Sequence, residues 1–349
     1  MKHILRIAAG FTLLALTASR GFATTAAALI PGDLLVADNE NGTYKGEIIQ
    51  VNPVTGAQSV WASGGYLVQP DDLAFDGKGN LIVADFEFGF GKIFSINIAS
   101  GAQTLIASGN NVEGTTSLAI EAAGTYLVTN YNTQMVPPSS NVIRIDPATG
   151  NQTVVLNADA QFGSQMALPL NSALDQNGNL LIANVPDGGG VSGILNINSQ
   201  TGATTVVSSG GIFSTIAPRG IYFNPAHPQD LLVTCDDQST PSLSELLDVN
   251  ISTGAQKVLA TGGLINYATA VTEDSAGDIF VADQMGTGHS SSSIIEISAV
   301  NGAMSTIASG GNLSTPQEIL FVPVPEPASL GIVAVSSIAM LMRRERKEA

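Results

Sequence analysis

The sequence predicts an all-β protein, a six-bladed β-propeller with four strands in each blade. Three observations support this fold class. A Gly-Ala-Gln tripeptide or a close variant recurs six times along the 349 residues, and the stretches between copies carry short strand-like segments separated by turn residues. The two ends of the repeat region each carry part of a blade. The composition agrees, because 37 glycines and only 5 % aromatic residues are typical of a chain with many turns.

The repeat has a period near 50 residues. Its first glycine stands at six positions, which are Gly56, Gly101, Gly150, Gly202, Gly254 and Gly302. The spacings between them are 45, 49, 52, 52 and 48 residues. A period of this length built from short strands is characteristic of a propeller blade.

Each repeat predicts four strands, and the second repeat shows them clearly. Residues 73–75 are an inner strand, and residues 76–80 form a tight turn. Residues 81–84 are apolar throughout, as expected for a strand that neighbouring blades cover on both faces. The alternating segment 92–97 is the third strand, and residues 103–107 are the outer strand.

The two ends of the repeat region complement each other. The first repeat has no inner strand before residues 34–37, whereas residues 318–321 form a strand that belongs to no complete repeat. We expect this C-terminal strand to join the three N-terminal strands and close the ring, because closure removes exposed sheet edges. An open β-solenoid is the alternative, but it would not leave complementary halves. The predicted propeller spans residues 29–322.

Residues 1–28 predict a secretory signal peptide. Lys2 and Arg6 give a positive start, residues 7–18 are mostly apolar, and residues 26–28 offer a small-residue cleavage site. The apolar segment is too short to span a bilayer, which takes about 20 residues. A buried N-terminal helix is the alternative.

Residues 323–349 predict a C-terminal sorting tail. Its three parts are the rigid spacer Pro325-Glu326-Pro327, the apolar stretch 328–342 and the basic end Arg343-Arg344-Glu345-Arg346-Lys347. The apolar stretch is marginal for a permanent membrane span, which suits a transient anchor. A basic end of this kind is retained on the cytoplasmic side of a membrane.

This tail resembles a PEP-CTERM sorting signal, on Pro325, Glu326 and Pro327, the short hydrophobic helix and the arginines Arg343 and Arg344. The resemblance implies an exosortase-like processing enzyme as a partner and a short transmembrane helix that anchors the chain transiently. It also implies export to the cell envelope, cell surface or extracellular matrix of a Gram-negative-type bacterium. An ordinary C-terminal membrane anchor is the alternative.

The region between the two signals is strongly acidic. Residues 29–325 hold six of the 13 Lys and Arg residues and 26 of the 29 Asp and Glu residues, a net charge of −20. Nucleic-acid binding needs a basic face and is therefore not expected. Such a surface favours solubility and attracts cations. Cys235 is the one cysteine, which excludes a disulfide framework and a cysteine-based zinc site.

The blades resemble those of NHL and gluconolactonase-type propellers. The similar residues are the segments Asp72-Leu73-Ala74-Phe75-Asp76, 79–85 and 274–283. The resemblance implies the propeller fold over residues 33–322. It implies little about activity, because such propellers carry many functions.

The last residue of the second strand is Asp or Asn in every predicted blade. The six residues are Asp38, Asp85, Asn130, Asn184, Asp236 and Asp283. A residue present in every blade is expected to build the blade. We expect these side chains to bond to the backbone of the loop that follows each strand, as Asx-turns do.

The start of the inner strand differs from blade to blade, which favours a functional role. Alignment on the prolines predicts a ring at the channel mouth formed by Asp71, Thr116, Asn171, Arg219, Ala268 and Gln317. We predict Asp71, Asn171, Arg219 and Gln317 as ligand-binding residues.

The resemblance to metal-dependent gluconolactonase-type enzymes implies a divalent cation, such as Ca²⁺, at Asp71 and Asn171. Gln317 stands where an acid would be expected, and Arg219 brings a positive charge close by. One negative charge beside a guanidinium is a poor site for a divalent ion, so no cofactor is expected. The flanking Asp72 and Glu318 would improve the site if their side chains turn inward.

Arg219 and His289 are the candidate catalytic residues. Arg219 fits a bidentate clamp on a carboxylate or sugar acid, or an ion pair with Asp71 or Glu318 across the channel. His289 fits a general base, or a solvated side chain in its Gly- and Ser-rich loop. No nucleophile elbow, phosphate loop or metal-spaced histidine pair is present in the sequence.

These observations predict an exported, surface- or matrix-associated propeller that acts as a binding or structural module. Its expected partners are an extracellular polysaccharide or a surface protein. The alternative is a lactonase- or lyase-like hydrolytic enzyme that uses the channel-mouth residues. A calcium-stabilised adhesion module is a third interpretation. The sequence favours a protein without enzymatic activity and leaves the question open.

Overall fold

The computed structural model describes residues 28–39, 45–87, 90–132, 139–158, 166–186, 191–236, 244–284 and 291–324. These residues form six antiparallel sheets of four strands each. The six sheets are the blades of a propeller, which confirms the predicted fold class. The predicted sorting tail from Pro325 onward and residues 1–27 of the predicted signal peptide lie outside the described residues.

Each blade runs from an inner strand at the channel to an outer strand at the rim. In chain order the strands are β1 (Leu34–Asp38), β2 (Glu47–Val51), β3 (Gln58–Ser63), β4 (Pro70–Phe75), β5 (Asn80–Asp85), β6 (Lys92–Asn97), β7 (Gln103–Ser108), β8 (Thr115–Ile120), β9 (Tyr126–Asn132), β10 (Ser139–Ile145), β11 (Gln152–Asn157), β12 (Leu168–Leu174), β13 (Leu180–Val185), β14 (Gly193–Ile197), β15 (Thr204–Ser209), β16 (Ala217–Phe223), β17 (Asp230–Asp236), β18 (Glu245–Asn250), β19 (Gln256–Thr261), β20 (Ala268–Glu273), β21 (Ile279–Asp283), β22 (Ser293–Ile297), β23 (Met304–Ser309) and β24 (Pro316–Phe321). A 3₁₀ helix, Gly211–Ser214, precedes β16.

The ring closes through blade 1, whose strand order is β24-β1-β2-β3. The C-terminal strand β24 pairs antiparallel with β1, with Val36 opposite Ile319 and Leu34 opposite Phe321. The two ends of the chain therefore complete one blade, as the sequence predicts, and an open solenoid is excluded. Blades 2 to 6 follow as β4–β7, β8–β11, β12–β15, β16–β19 and β20–β23.

The hydrophobic core lies between neighbouring blades. Leu35 and Trp61 of blade 1, for example, pack in one cluster with Val83 and Phe94 of blade 2, and all four are at most 2 % exposed. Burying a side chain of this kind contributes about 1.5–3 kcal/mol. Since each cluster needs residues from two blades, a single blade cannot bury its own faces. This explains the long apolar second strands that the sequence shows.

The Gly-Ala-Gln repeat forms a contact between neighbouring blades, which we call the clasp. Gly254 has φ 73°, and a Cβ atom there would lie 2.4 Å from the carbonyl oxygen of Val207 in the preceding blade. The glutamine of the repeat reaches the same neighbour. Gln103 Oε1 accepts the N–H of Tyr66 at 2.7 Å, and its Nε2 donates to the carbonyl of Gly64 at 3.1 Å. The glutamines of four copies, Gln58, Gln103, Gln152 and Gln256, bond to the preceding blade in this way, whereas the other two copies have Thr204 and Met304.

Replacing Gln103 with alanine is expected to lower the free energy of unfolding by about 1–2 kcal/mol, because the substitution removes two hydrogen bonds to backbone groups. Urea denaturation of the variant measures this loss. Gln200→Ala is the control, since Gln200 bonds only within its own exposed turn. Equal stability of the two variants would contradict the clasp.

The Asp and Asn residues that end the second strands are structural, but they bond to a different segment than expected. Asp85 Oδ2 accepts the N–H groups of Val68 and Gln69 at 2.8 and 3.0 Å. These groups lead into the inner strand of the same blade rather than into the following loop. Asp38, Asn184 and Asp283 accept equivalent N–H groups in their own blades. Asn184 also donates to the carbonyl of Val191 at 2.6 Å, in the loop after its strand, which is the contact that the sequence predicts. These four side chains therefore fix where their own inner strands begin.

Blades 3 and 5 depart from this rule. Asn130 Nδ2 in blade 3 donates to Asn141 Oδ1 at 2.9 Å, and its Oδ1 accepts no hydrogen bond from the described residues. Blade 5 has a different residue at the capping position. Cys235 pairs with Pro218 as Asp85 pairs with Pro70, so the buried cysteine occupies the position of the capping carboxylate. Asp236 lies one residue further along and bonds to a side chain, Arg219.

Candidate functional site

The inner strands meet the channel mouth through β-bulges. In blade 2, Pro70 pairs with Asp85 and Asp72 pairs with Ala84, which leaves Asp71 in the bulge. A bulge turns side chains away from the regular alternation of a strand. We call the bulge residues the mouth layer, and they are Gln317, Asp71, Thr116, Leu170, Arg219 and Thr269.

The next residue of each inner strand belongs to a second level, which we call the inner layer. Its members are Glu318, Asp72, Ser117, Asn171, Gly220 and Ala270.

The ring predicted from the sequence combined residues that stand at different positions along the inner strands. Asn171 pairs with Ala183 as Asp72 pairs with Ala84, so it stands one residue beyond the mouth layer. Ala268 pairs with Asp283 and stands one residue before it. Asp71, Thr116, Arg219 and Gln317 lie where the ring was expected. The error for Asn171 lies in the alignment, because Asn171 stands two residues after Pro169 as Asp72 stands two residues after Pro70, and Leu170 occupies the bulge.

The inner layer crosses the channel. Asn171 Nδ2 in blade 4 donates to Glu318 Oε2 in blade 1 at 2.9 Å, and these two blades face each other across the ring. Asn171 Oδ1 accepts the N–H of Ile221 at 3.2 Å. The Glu318 side chain therefore does turn inward. This hydrogen bond therefore spans the channel at the level of the inner layer.

Asp72 forms the second part of the inner layer. Its carboxylate accepts the N–H groups of Leu73 and Leu118 at 2.6 and 2.7 Å, and the hydroxyl of Ser117 at 2.6 Å. The Ser117 hydroxyl also bonds to Ser172 Oγ at 2.7 Å. One hydrogen-bond chain thus links blades 2, 3 and 4. Asp72 is only 5 % exposed.

Burial makes the inner-layer carboxyls weak acids. It raises the pKa of Asp72 to about 7, although three hydrogen bonds from Ser117, Leu118 and Leu73 act to lower it. Burial also raises the pKa of Glu318 well above its usual range, and the neighbouring Asp72 raises it further. Because the two groups interact, their protons are released as a pair. The pair therefore does not carry two full charges at neutral pH.

Asp71 in the mouth layer differs from Asp72 in its hydrogen bonding. Its carboxylate forms no hydrogen bond with any described residue, and its side chain is half-buried. Burial raises the pKa of Asp71 well above its usual range, Asp72 and Asp85 raise it further, and Arg219 lowers it. Asp71 in blade 2 thus interacts with a guanidinium in blade 5, on the opposite side of the mouth.

Arg219 is held by residues that the sequence did not indicate. Its Nε donates to Asp236 Oδ2 at 3.0 Å, its Nη2 donates to the Tyr267 hydroxyl, and its guanidinium carbon lies 4.4 Å from the centre of the Tyr267 ring. It forms an ion pair with neither Asp71 nor Glu318, which were the expected partners. Its Nη1 forms no hydrogen bond within the described part of the chain. That N–H group remains for a ligand.

The remaining predicted residues contribute less. Gln317 Nε2 donates to the carbonyl of Thr315 at 3.2 Å, which orients its side chain in the mouth layer. His289 falls in residues 285–290, outside the described residues.

The residues present do not fit a divalent cation at Asp71 and Asn171. An amide binds a metal ion through its oxygen, and Asn171 Oδ1 already accepts a backbone N–H. The two side chains also belong to different layers. Within the described ranges, no group of three His, Cys, Asp or Glu residues has a metal-binding arrangement.

Several residues of the site were missed or were named only as neighbours. Asp72 and Glu318 were considered as flanking acids, and the strand register places them in the inner layer. Tyr267 gave no signal in the sequence, and Asp236 was named only as a structural strand-end residue, because each is close to Arg219 only in the folded ring. Ser117 was missed since its contacts cross three blades.

Comparison with known proteins identifies the fold. No protein-family profile matches the chain, and no curated protein matches its sequence. Solved structures do match. The nidogen/laminin complex matches with a TM-score of 0.63 and 15 % identity, covering 83 % of this chain and 98 % of that one. TolB from Acinetobacter baumannii matches with a TM-score of 0.61 and 13 % identity, covering 84 % and 67 %.

A protein of unknown function from Bacteroides caccae also matches, with a TM-score of 0.56, 16 % identity and coverage of 83 % and 98 %. The likeness is one of fold. It confirms the resemblance to NHL-like propellers at the level of architecture. Among the described residues, no helix is long and apolar enough to cross a membrane.

Proposed function

We propose that this chain is an exported, surface- or matrix-associated propeller that binds a polar ligand at its channel mouth. One observation carries the proposal. The mouth layer holds a carboxylate without hydrogen bonds, Asp71, opposite a guanidinium with a free N–H, Arg219, above a channel that Asn171 and Glu318 bridge.

Stability alone does not explain why Asp71 stands in the mouth layer. A half-buried carboxylate that lacks hydrogen bonds destabilises the fold, and four of the other five blades have Thr, Leu or Gln at this position. Asp71 offers acceptors to hydroxyl or ammonium groups, while Arg219 Nη1 donates to an oxygen. Hydroxyls beside carboxylates have both properties. An acidic extracellular polysaccharide therefore fits the mouth, and a surface protein is the other partner class.

Binding can be tested with residues 28–324, which contain the closed ring. Thermal melts are recorded with fragments of an acidic and of a neutral polysaccharide. A ligand at 100 times its Kd adds about 2.7 kcal/mol, which a melt resolves. We expect the acidic fragments to raise Tm, and Asp71→Asn and Gln317→Ala to abolish the rise. A rise that is unchanged in both variants, or no rise with any fragment, would overturn the proposed site.

Asp71→Asn is itself expected to stabilise the free protein. The folded-state pKa of Asp71 is raised, so its ionisation costs stability as pH increases above the unfolded pKa. An amide avoids that cost and loses no hydrogen bond. We expect Tm at pH 8 to rise by about 2 °C or more, which corresponds to about 1 kcal/mol. At pH 4 the two proteins should melt together. Asp146→Asn, in an exposed turn, is the control.

We also propose that residues 325–349 sort the exported chain through an exosortase-like enzyme. The order of Pro325-Glu326-Pro327, the apolar stretch and the basic end supports this assignment. Deleting residues 325–349 is expected to abolish surface display in the native host. Unchanged display of the truncated chain would refute the sorting role, and it would leave the binding site untouched.

The second candidate function is a lactonase- or lyase-like hydrolytic enzyme. The observation that favours it is the Asp72 carboxyl, whose pKa of about 7 suits general acid–base chemistry at neutral pH. Arg219 would orient a substrate carboxylate, and His289 would be a further base. A panel of lactones and esters, with divalent ions supplied, tests this function. Activity that falls about 100-fold or more in Asp72→Asn would support it, and inactivity on the whole panel would exclude it for these substrates.

A further inference from the structure

A groove of about 670 Å³ lies on the face opposite the channel mouth, between blades 6 and 1. Phe280 and Phe321 form its apolar floor, with an edge-to-face ring contact at 5.1 Å. Val54 and Val324 stand at its edges and are 90 % and 66 % exposed. Exposed valines beside an aromatic floor leave apolar surface in contact with water.

Four carboxylates line the same groove, and they are Glu273, Asp274, Asp278 and Glu296. None of them forms an ion pair with another described residue. Their hydrogen bonds come from neutral donors, such as Asn224 Nδ2 to Glu273 and the N–H of Ala299 to Asp278. The groove therefore combines an apolar floor with uncompensated negative charge.

Glu273 breaks the repeat. It is the last residue of its inner strand, opposite Ile279. The residues at this register in the other five blades are all apolar, and they are Phe75, Ile120, Leu174, Phe223 and Phe321. Blade construction therefore does not require an acid here. The substitution concentrates charge in the one groove where the ring closes and the described chain ends.

We propose that this groove binds the C-terminal segment of the same chain, residues 341–347. The segment is Leu-Met-Arg-Arg-Glu-Arg-Lys, with two apolar side chains for the aromatic floor and four cations for the four carboxylates. The described chain ends at Val324, on the edge of the groove. Sixteen residues separate Val324 from Leu341 and span up to about 55 Å when extended, so the segment can return to the groove.

The covalent link between the propeller and residues 341–347 favours docking even if the contact itself is weak. Because the segment is tethered to the propeller by 16 residues, its effective concentration at the groove is raised, and a modest intrinsic affinity suffices to occupy the groove. Docking would keep the basic end on the propeller and compete with its insertion into a membrane. The inference goes beyond the proposed function and does not require the tail to be a sorting signal, so either one can fail alone.

The contact can be tested with residues 28–324 and a fluorescein-labelled peptide of residues 339–349. Anisotropy is measured at about 20 mM and about 300 mM NaCl, since screening should weaken a contact of this type. We expect Glu273→Gln with Glu296→Gln to weaken binding about tenfold. The matched control is Asp230→Asn with Asp248→Asn, which removes the same charge from blade 5, where Asp248 holds the register of Glu296 and Asp230 that of Asp278.

Equal weakening by both pairs of substitutions would mean that the peptide senses only the net charge, and it would overturn the proposal. So would an absence of binding at the lower salt concentration. A peptide with Leu341→Ser and Met342→Ser tests the apolar floor and should also bind about tenfold less tightly. If it binds as well as the original, the aromatic floor plays no part and the proposed occupant is wrong.

The full chain provides a second test. Lys347 is the one lysine after residue 324, and a carbodiimide joins a lysine amine to a carboxylate that touches it. We expect a cross-link from Lys347 to one of the four groove carboxylates, identified by mass spectrometry, and its loss in the Glu273→Gln and Glu296→Gln chain if those two acids supply the contact. Cross-links from Lys347 only to carboxylates elsewhere would refute the docking.

Discussion

Arg219→Met is expected to lower the free energy of unfolding by about 3 kcal/mol at pH 7. The substitution takes the guanidinium away from the Asp236 carboxylate, whose side chain is 0 % exposed. Breaking a buried pair from one side costs more than the pair contributes, because a charge stays behind in a low-dielectric environment. The Arg219 side chain is 16 % exposed, which places the cost at the low end of the usual range. Urea unfolding at pH 7 measures it.

A rescue variant separates the charge effect from lost packing. Asp236→Asn in the Arg219→Met chain removes the remaining charge, so the double variant should regain at least half of the lost stability. Lys92→Met is the control, since its pair with Glu87 is more exposed on both sides and should cost less than about 1 kcal/mol. Equal losses for Arg219→Met and Lys92→Met would show that Asp236 tolerates its charge without the guanidinium.

The fold was predictable from the sequence because the residues of the repeat form contacts between neighbouring blades. Each Gly-Ala-Gln copy marks a place where one blade grips another, as Gln103 does with Tyr66. Packing of this kind must recur in every blade, so it leaves a periodic trace. Closure was predictable for a similar reason. The first blade lacks an inner strand, and the last strand, β24, belongs to no other blade. Pairing of β24 with β1 completes the first blade and closes the ring.

The site was less predictable because its geometry depends on single-residue shifts. Leu170 occupies the bulge of blade 4, so Asn171 lies in the inner layer, one residue beyond the position that the sequence predicted for it. The contact between Asn171 and Glu318 joins residues 147 positions apart, and it exists only because blades 1 and 4 face each other. Pro169 indicates the correct register in the sequence, since this proline holds the position that Pro70 holds in blade 2.

The free energy of unfolding is expected to fall as pH rises from 5 to 8. Asp72 has a folded-state pKa of about 7 against an ordinary value of 3.8. Below the ordinary value the group is neutral in both states, and stability is fully present. Between the two values the unfolded chain releases the proton while the folded chain keeps it, so stability decreases with pH. At 1.36 kcal/mol for each pKa unit, Asp72 alone accounts for about 4 kcal/mol between pH 3.8 and 7, of which about 3 kcal/mol is lost between pH 5 and 8.

Glu318 acts in the same direction, since its folded-state pKa is also raised. The carboxyls whose pKa is lowered, such as Asp76 and Glu121, affect stability only near and below their ordinary values. They therefore leave the range from pH 5 to 8 unaffected. Urea denaturation at four pH values across this range measures the slope.

Glu318→Gln tests which groups carry the slope. It removes one titrating carboxyl and keeps an oxygen that accepts the Asn171 N–H, so the decrease between pH 5 and 8 should become smaller while the ring still closes. Asp146→Asn, in an exposed turn, should leave the slope unchanged. A wild-type stability that is flat or rising over this range would show that the channel carboxyls ionise freely. The inner layer would then be hydrated, and Asp72 would not hold the proton that a general acid at neutral pH must carry.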